Sequence, residues 1–164
     1  MGNLITQPSV QITVTPTLDT SAYASGDRLG AIMTLSNVAL NPGGLVELED
    51  LLIIDGALQS QSIDVMLFDS LPVVASADNA AISITDAEML KLVGTASLLT
   101  ASYKATAANS YVHLTSINEM MGPALPIAPQ VPSSRDLYAL MVCRSGTPTY
   151  AANSLTLRFK FRQL

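Results

Sequence analysis

Apolar residues recur at every second position through much of this chain, and the pattern is longest between Leu45 and Ser70. That stretch reads LVELEDLLIIDGALQSQSIDVMLFDS, two apolar runs around a short polar break. In the first run Val46, Leu48, Leu52 and Ile54 share one parity, opposite to Glu47 and Glu49. In the second, Ile63, Val65 and Leu67 alternate with Asp64, and Met66 and Phe68 make the segment apolar on both sides. A period of two is what a pleated strand needs to bury one face and wet the other. The stretch therefore predicts two long antiparallel core strands, paired with each other and joined through Gly56 to Ser62.

The same logic sorts the rest of the chain. Val10, Ile12 and Val14 alternate with Gln11, Thr13 and Thr15, a half-buried strand that Pro16 ends. Thr17 to Gly26 is turn-rich and holds one aromatic anchor, Tyr23; Asp27 to Asn37 returns as a strand with Leu29, Ala31, Met33 and Leu35 on one side. Asn41-Pro42-Gly43-Gly44 is a strong turn signal. Pro72 to Ala81 reads as a loop, followed by a short β segment at Ile82 to Ile84. Thr85-Asp86-Ala87-Glu88 fits a capping box, with Gly94 placed as a C-cap, so one or two helical turns are expected there. Thr95 to Tyr103 and Ser110 to Ile117 read as strands around a turn at Lys104 to Asn109. Leu137 to Cys143 is apolar on both faces and is expected to be the most buried strand. Leu155, Leu157, Phe159 and Phe161 alternate with Thr156, Arg158, Lys160 and Arg162 in the last one.

One segment follows neither period. In Met120 to Pro132, prolines 123, 126, 129 and 132 recur every third residue, which polyproline II geometry places on one edge. It predicts an extended segment lying over the sheet or an arm lying on a neighbouring subunit; proline blocks central pairing in either case. Short strands, one brief helix and Pro/Gly-rich turns together predict an all-β chain, an antiparallel jelly-roll-like β-sandwich in a single domain over residues 1–164, with an N-terminal extension at 1–9.

Composition changes this picture in one respect. Charged residues make up 13% of the 164 positions, roughly half the ~25% of an ordinary domain, and Ser, Thr and Asn fill the polar positions. Soluble monomers usually cover themselves with Lys and Glu, so sparse charge predicts surface covered in an assembly. A net charge of −5 argues against nucleic acid as a partner, because phosphate binding needs clustered Lys and Arg. Cys143 stands alone, so no internal disulfide can form, and its apolar setting predicts a buried inert thiol. The first ten residues lack the basic and apolar regions of a signal peptide, and no apolar run reaches the ~20 residues of a membrane span.

Candidate chemistry is thin. His113 is the only histidine, and no nucleophile-elbow pattern supplies it with a serine. Asp50, Asp55, Asp64 and Asp69 are spread over two strands and a turn without calcium-loop spacing, so neither a metal nor a cofactor is expected. No glycine-rich loop precedes a helix to cradle phosphate. The one charge cluster with a pattern is the row Arg158, Lys160 and Arg162. It reads either as the solvated face of the last strand or as a surface that meets acids on a partner, Glu47 and Glu49 of another copy among them.

Four stretches, in order, resemble a known group. VQITVTPTLDTSAYASGD, IDVMLFDSLP, DAEMLKLVG and LYALMVCRSGTPTYAANSLTLRF resemble small virion proteins encoded beside the capsid genes of tailed bacteriophages, cyanophages included. The LFD and GTPTYA segments are the most specific parts. The resemblance implies a head decoration, or cement, protein: a non-enzymatic jelly roll, typically a homotrimer, made in the host cytoplasm and seated on the outer surface of the phage head against the major capsid protein. Candidate partner contacts are Leu4 and Ile5 in the N-terminal segment, Pro123, Leu125, Pro126, Ile127 and Pro129 in the proline-rich segment, and Arg158, Lys160 and Arg162. A tail or fibre component is the alternative the same sandwich would serve. A carbohydrate-binding jelly roll is another, although the chain has no Trp and five Tyr with which to stack sugar.

Overall fold

Alternating segments become strands because each can bury its apolar parity against the other sheet. The computed structural model describes residues 7–115 and 134–164. Among these, the strands are β1 (Ser9–Val14), β2 (Arg28–Leu35), β3 (Val46–Asp55), β4 (Ile63–Phe68), β5 (Leu92–Leu98), β6 (Lys104–Ala105), β7 (Ser110–Thr115), β8 (Leu137–Cys143) and β9 (Leu155–Gln163). A single turn of helix, α1 (Asp86–Met89), precedes β5, and a 3-10 turn at Thr100–Ser102 follows it.

The strands pair as one long folded-over hairpin: β4 with β5, β3 with β7, β2 with β8, and β1 with β9, all antiparallel. Rolling that hairpin sets β3 beside β9 and β4 beside β8. The products are a five-stranded sheet, β1-β9-β3-β7-β6, and a four-stranded sheet, β2-β8-β4-β5. Packed face to face, they form an antiparallel jelly-roll sandwich. The strands predicted to pair with each other, β3 and β4, instead lie in different sheets. Each is apolar enough to sit in mid-sheet, where it needs two neighbours of its own, and residues 56–62 cross from one layer to the other. The buried Asp55 carboxylate shapes that crossing by accepting from the Ala57 amide at 2.9 Å and the Ser60 amide at 2.8 Å.

Between the sheets, Leu51, Ile53, Val112, Leu157, Phe159 and Phe161 meet Leu29, Leu35, Ile63, Val65, Leu67, Leu98 and Met141, all buried. Each such side chain contributes about 1.5–3 kcal/mol by leaving water. A second apolar layer lies outside the four-stranded sheet. There Met66, Phe68, Leu140 and Val142 are buried beneath Val74, Ile82, Ile84 and Leu92, supplied mainly by the excursion between β4 and β5. This layer is why β4 and β8 are apolar on both faces, and it makes β8 as buried as its sequence predicts.

Two register shifts alter the expected faces. In β3, Leu48 pairs with Phe161 and Asp50 with Lys160, leaving Glu49 as an extra residue. A bulge of this kind reverses the parity of everything beyond it. Leu51 and Ile53 therefore point inward and are fully buried, while Leu52 and Ile54 turn outward and are only half-buried. In β2, a shift between Leu29 and Met33 leaves Ala31 exposed instead of aligned with them. Gly30 occupies this shift at φ +73°, and a Cβ there would stand 3.1 Å from the Thr17 carbonyl oxygen, so glycine is needed on both counts.

The helix is capped at Thr85, whose hydroxyl accepts from the Glu88 amide, but Glu88 does not reach back to close the box. Its carboxylate accepts from the Val73 amide at 2.6 Å instead. Gly94 is not a C-cap; it lies in β5 opposite Leu67, and Leu90 ends the helix. Ile82 to Ile84 form no strand, only single hydrogen bonds such as Ile82 N–H to the Gly26 carbonyl.

The bulge sets a measurable order. Leu51→Ala opens a cavity in the core and costs about 2–5 kcal/mol in urea unfolding, whereas Leu52→Ala, at a half-buried outward site, costs about 1 kcal/mol. Unbroken alternation along β3 would give the opposite order.

Candidate interaction surface

The outward face of the five-stranded sheet carries the basic row, and the strand register lays this face out in rows. Ser9, Arg162 and Glu47 form the first, and Gln11, Lys160, Asp50 and Thr115 the second. Thr13, Arg158, Leu52 and His113 follow. Thr156, Ile54, Tyr111 and Lys104 make the last row, which Thr15 completes through its hydroxyl contact with Thr156 at 3.1 Å. The face is thus divided along the strands: ion pairs at one end, Leu52, Ile54 and Tyr111 at the other.

The three cations of the row are not equivalent. Arg162 donates through Nε to Glu47 Oε2 at 2.8 Å, with a second contact through Nη2. Lys160 Nζ stands 3.0 Å from Glu49 Oε2 and 3.9 Å from Asp50. These acids hold both cations above their ordinary pKa values, chiefly through the hydrogen bonds Lys160 makes with Glu49 and Arg162 with Glu47. The pairing expected between copies is therefore made within one chain, because the bulge presents Glu49 and Asp50 together to Lys160. Arg158 lies between Thr13 and Leu52, and among the described residues no carboxylate lies within ion-pair distance of it. His113 is exposed beside Leu52. Leu4, Ile5, Pro123, Leu125, Pro126, Ile127 and Pro129, the other expected contacts, lie outside the described residues.

Elsewhere the polar side chains serve as braces. Asp78 accepts from the Tyr23 hydroxyl at 2.9 Å, the Gly30 amide at 2.7 Å and the Asp19 amide at 2.8 Å, tying the loop before β2 to the β4–β5 excursion. Burial, followed by the Asp78 carboxylate, pushes the Tyr23 phenol well up. No periodicity marks Asp78; its only sequence signal is the Asp-Asn turn dipeptide it begins. The acids weighed as metal ligands are dispersed: Asp50 is beside Lys160, Asp55 turns the chain, Asp64 pairs with Arg144 at 2.6 Å, and Asp69 accepts from Ser70. Among the described residues no three His, Cys, Asp or Glu side chains converge as a metal site.

A second exposed surface was not foreseen. Leu71, Val73, Met89 and Leu90 are 55%, 69%, 36% and 86% exposed. They form one tip, because Glu88 and Lys91 bind the helical turn to the preceding loop. Besides the Val73 contact, Lys91 Nζ donates to Glu88 at 2.6 Å and to the Leu71 carbonyl at 3.0 Å. With one helical turn formed and no buried residue in it, Met89 and Leu90 project from it.

No family model matches the chain, and no curated protein matches it. Solved structures similar to it include Desmodium yellow mottle tymovirus, at 15% identity over 99% of this chain and 83% of that one, with a TM-score of 0.29. Turnip yellow mosaic virus matches at 13% identity over 96% and 81%, with a TM-score of 0.31. The tobacco streak virus coat protein matches at 10% identity over 97% and 90%, with a TM-score of 0.30. Likenesses this distant carry no argument about what the chain does.

Two outcomes follow from the braces. Cys143 is buried, its thiol donates to the Ser145 carbonyl at 3.3 Å, and burial pushes its pKa up, so little thiolate forms at neutral pH. A thiol reagent will label the native chain only as fast as it opens, and at once in denaturant. Glu88 is held below its ordinary 4.5 by the hydrogen bond from Lys91 and then that from Val73. A folded pKa below the unfolded one means that this support is complete above pH ~4.5 and fades as acid protonates the folded carboxylate. Hydrogen-exchange protection at the Val73 amide should hold down to about pH 4.5 and fall as the pH drops further, and Glu88→Gln should lower the protection above pH ~4.5 and flatten that profile.

Proposed function

We propose that this chain is a non-enzymatic structural protein of a virion, a decoration protein on the outer surface of a tailed-phage head. It cements the shell by burying surface against the major capsid protein and against sister copies in a homotrimer. The observation that carries this reading is the unequal finish of the two sheets. The four-stranded sheet is covered by the chain's own excursion, while the five-stranded sheet turns Leu52, Ile54 and Tyr111 outward, half-buried and outside both buried clusters of the described residues. A rigid jelly roll with one sheet face left open can bind by area, at roughly 800 Å² per partner, with many weak contacts multiplied over a symmetric shell. The sparse charge of the surface and the resemblance of the four sequence stretches to phage-head proteins support the same assignment.

A density map of purified virions tests it. This chain should occupy the outside of the head, with a copy number by mass spectrometry that matches a set of symmetry-related shell positions; density confined to the tail, or no virion association, would refute the assignment. Replacing both Leu125 and Ile127 with Asp should abolish assembly while the isolated chain keeps its thermal unfolding midpoint. Unchanged occupancy would remove the proline-rich segment from the contact surface.

A further inference from the structure

The outer sheet face and the projecting tip each carry apolar side chains, and they are opposite in charge. On the face, Leu52 and Ile54 lie beside Tyr111 and His113, with Arg158 on one flank and Lys104 on the other. Among the described residues, neither of these cations has a carboxylate within ion-pair distance. On the tip, Leu90 is the most exposed large apolar side chain described, and Val73, Leu71 and Met89 of the same bonded segment are exposed as well. Lys91 is already engaged by Glu88, so the exposed Asp86 leaves the tip net acidic. Three bonds fix its shape before any partner arrives: Val73 N–H to Glu88, Lys91 to the Leu71 carbonyl, and Asp69 N–H to the Lys91 carbonyl at 3.0 Å. A preformed knob gives up little freedom on docking.

We propose that the outer face of the five-stranded sheet receives the Leu90 tip of a second copy of this chain, with Asp86 meeting Arg158 or Lys104. The inference rests on the reading of the chain as a protein that assembles with its own copies, and it names the surfaces that do so. Face and tip are different patches, so the contact is heterologous: each copy offers a tip to one neighbour and a face to another, which closes into a ring when the rotation permits. Opposed charges select the register, and the apolar contact supplies the affinity.

The test is complementation between two defective chains, read by sedimentation of the purified full chain. Wild type should sediment as an oligomer. Leu52→Asp, which spoils the face, and Leu90→Asp, which spoils the tip, should each sediment at the 17.2 kDa of one chain. Mixed in equal amounts they should give a dimer, because one intact face and one intact tip remain. Arg158→Asp together with Lys104→Asp should weaken the oligomer without touching the core, and adding Asp86→Arg to the same chain should restore it. A monomeric wild type, a variant that keeps the full oligomer, or a mixture that stays monomeric would each overturn the tip-to-face contact. Wild-type occupancy on phage heads is measured separately: a monomer that still decorates shells sinks this contact alone, whereas a ring-forming chain absent from virions sinks the decoration role alone.

Discussion

The extra residue in β3 where it runs beside β9 is the constraint on which the rest of this structure depends. Up to Leu48 the strand follows simple alternation; at Glu49 the register slips by one, and inward and outward residues exchange places. Leu51 and Ile53 then complete the core beside Phe159 and Leu157, while Leu52 and Ile54 are sent to the outer face. The same slip brings Glu49 and Asp50 to one side of Lys160, so a single backbone irregularity adds the Lys160 pairs to the regular Arg162–Glu47 pair and creates the apolar end of the outer face.

The two sheets solve the exposure of their outer faces differently. The four-stranded sheet is apolar outside and is sealed by the chain between β4 and β5, which behaves as a third layer pinned by Asp78 and by the Glu88–Lys91 pair. Among the described residues the five-stranded sheet has no such outer layer, and its solvent contact is made tolerable by Thr, Gln and paired ions on four of its strands. Exposed ion pairs of this kind are screened and add little to stability. Their effect is to leave Arg158 and Lys104 as the cations of the sheet face that have no carboxylate among the described residues.

Rolling a long hairpin has a cost in folding order. Only β6 with β7 pairs over a short separation; β4 with β5 closes the whole excursion between them, and β1 with β9 joins the first and last strands. Contacts this distant in sequence close late, after the loop entropy of the intervening chain has been overcome. Buried polar braces such as Asp55 then hold the crossings between layers in place.

Several features were legible in the sequence because they depend on local spacing alone: the positions of the longer strands, though not the short segments at Ile82 to Ile84, Thr100 to Tyr103 and Lys104 to Ala105, the all-β sandwich, the burial of Cys143, the anchoring role of Tyr23 and the double-sided burial of β8. Period-two patterns report that a face is buried, and turn residues report where the chain reverses; both act within a few residues. Which strands are neighbours, where Glu49 interrupts the alternation, that Lys160 and Arg162 are paired with acids of their own chain, and that Leu71 and Leu90 form one tip were decided only by tertiary structure. Each depends on a register or a contact between segments far apart in the chain, and the hydrogen-bond energy of a backbone ladder does not depend on which residues it joins. Packing between the layers chooses among the ladders, and that choice is made by the whole core at once.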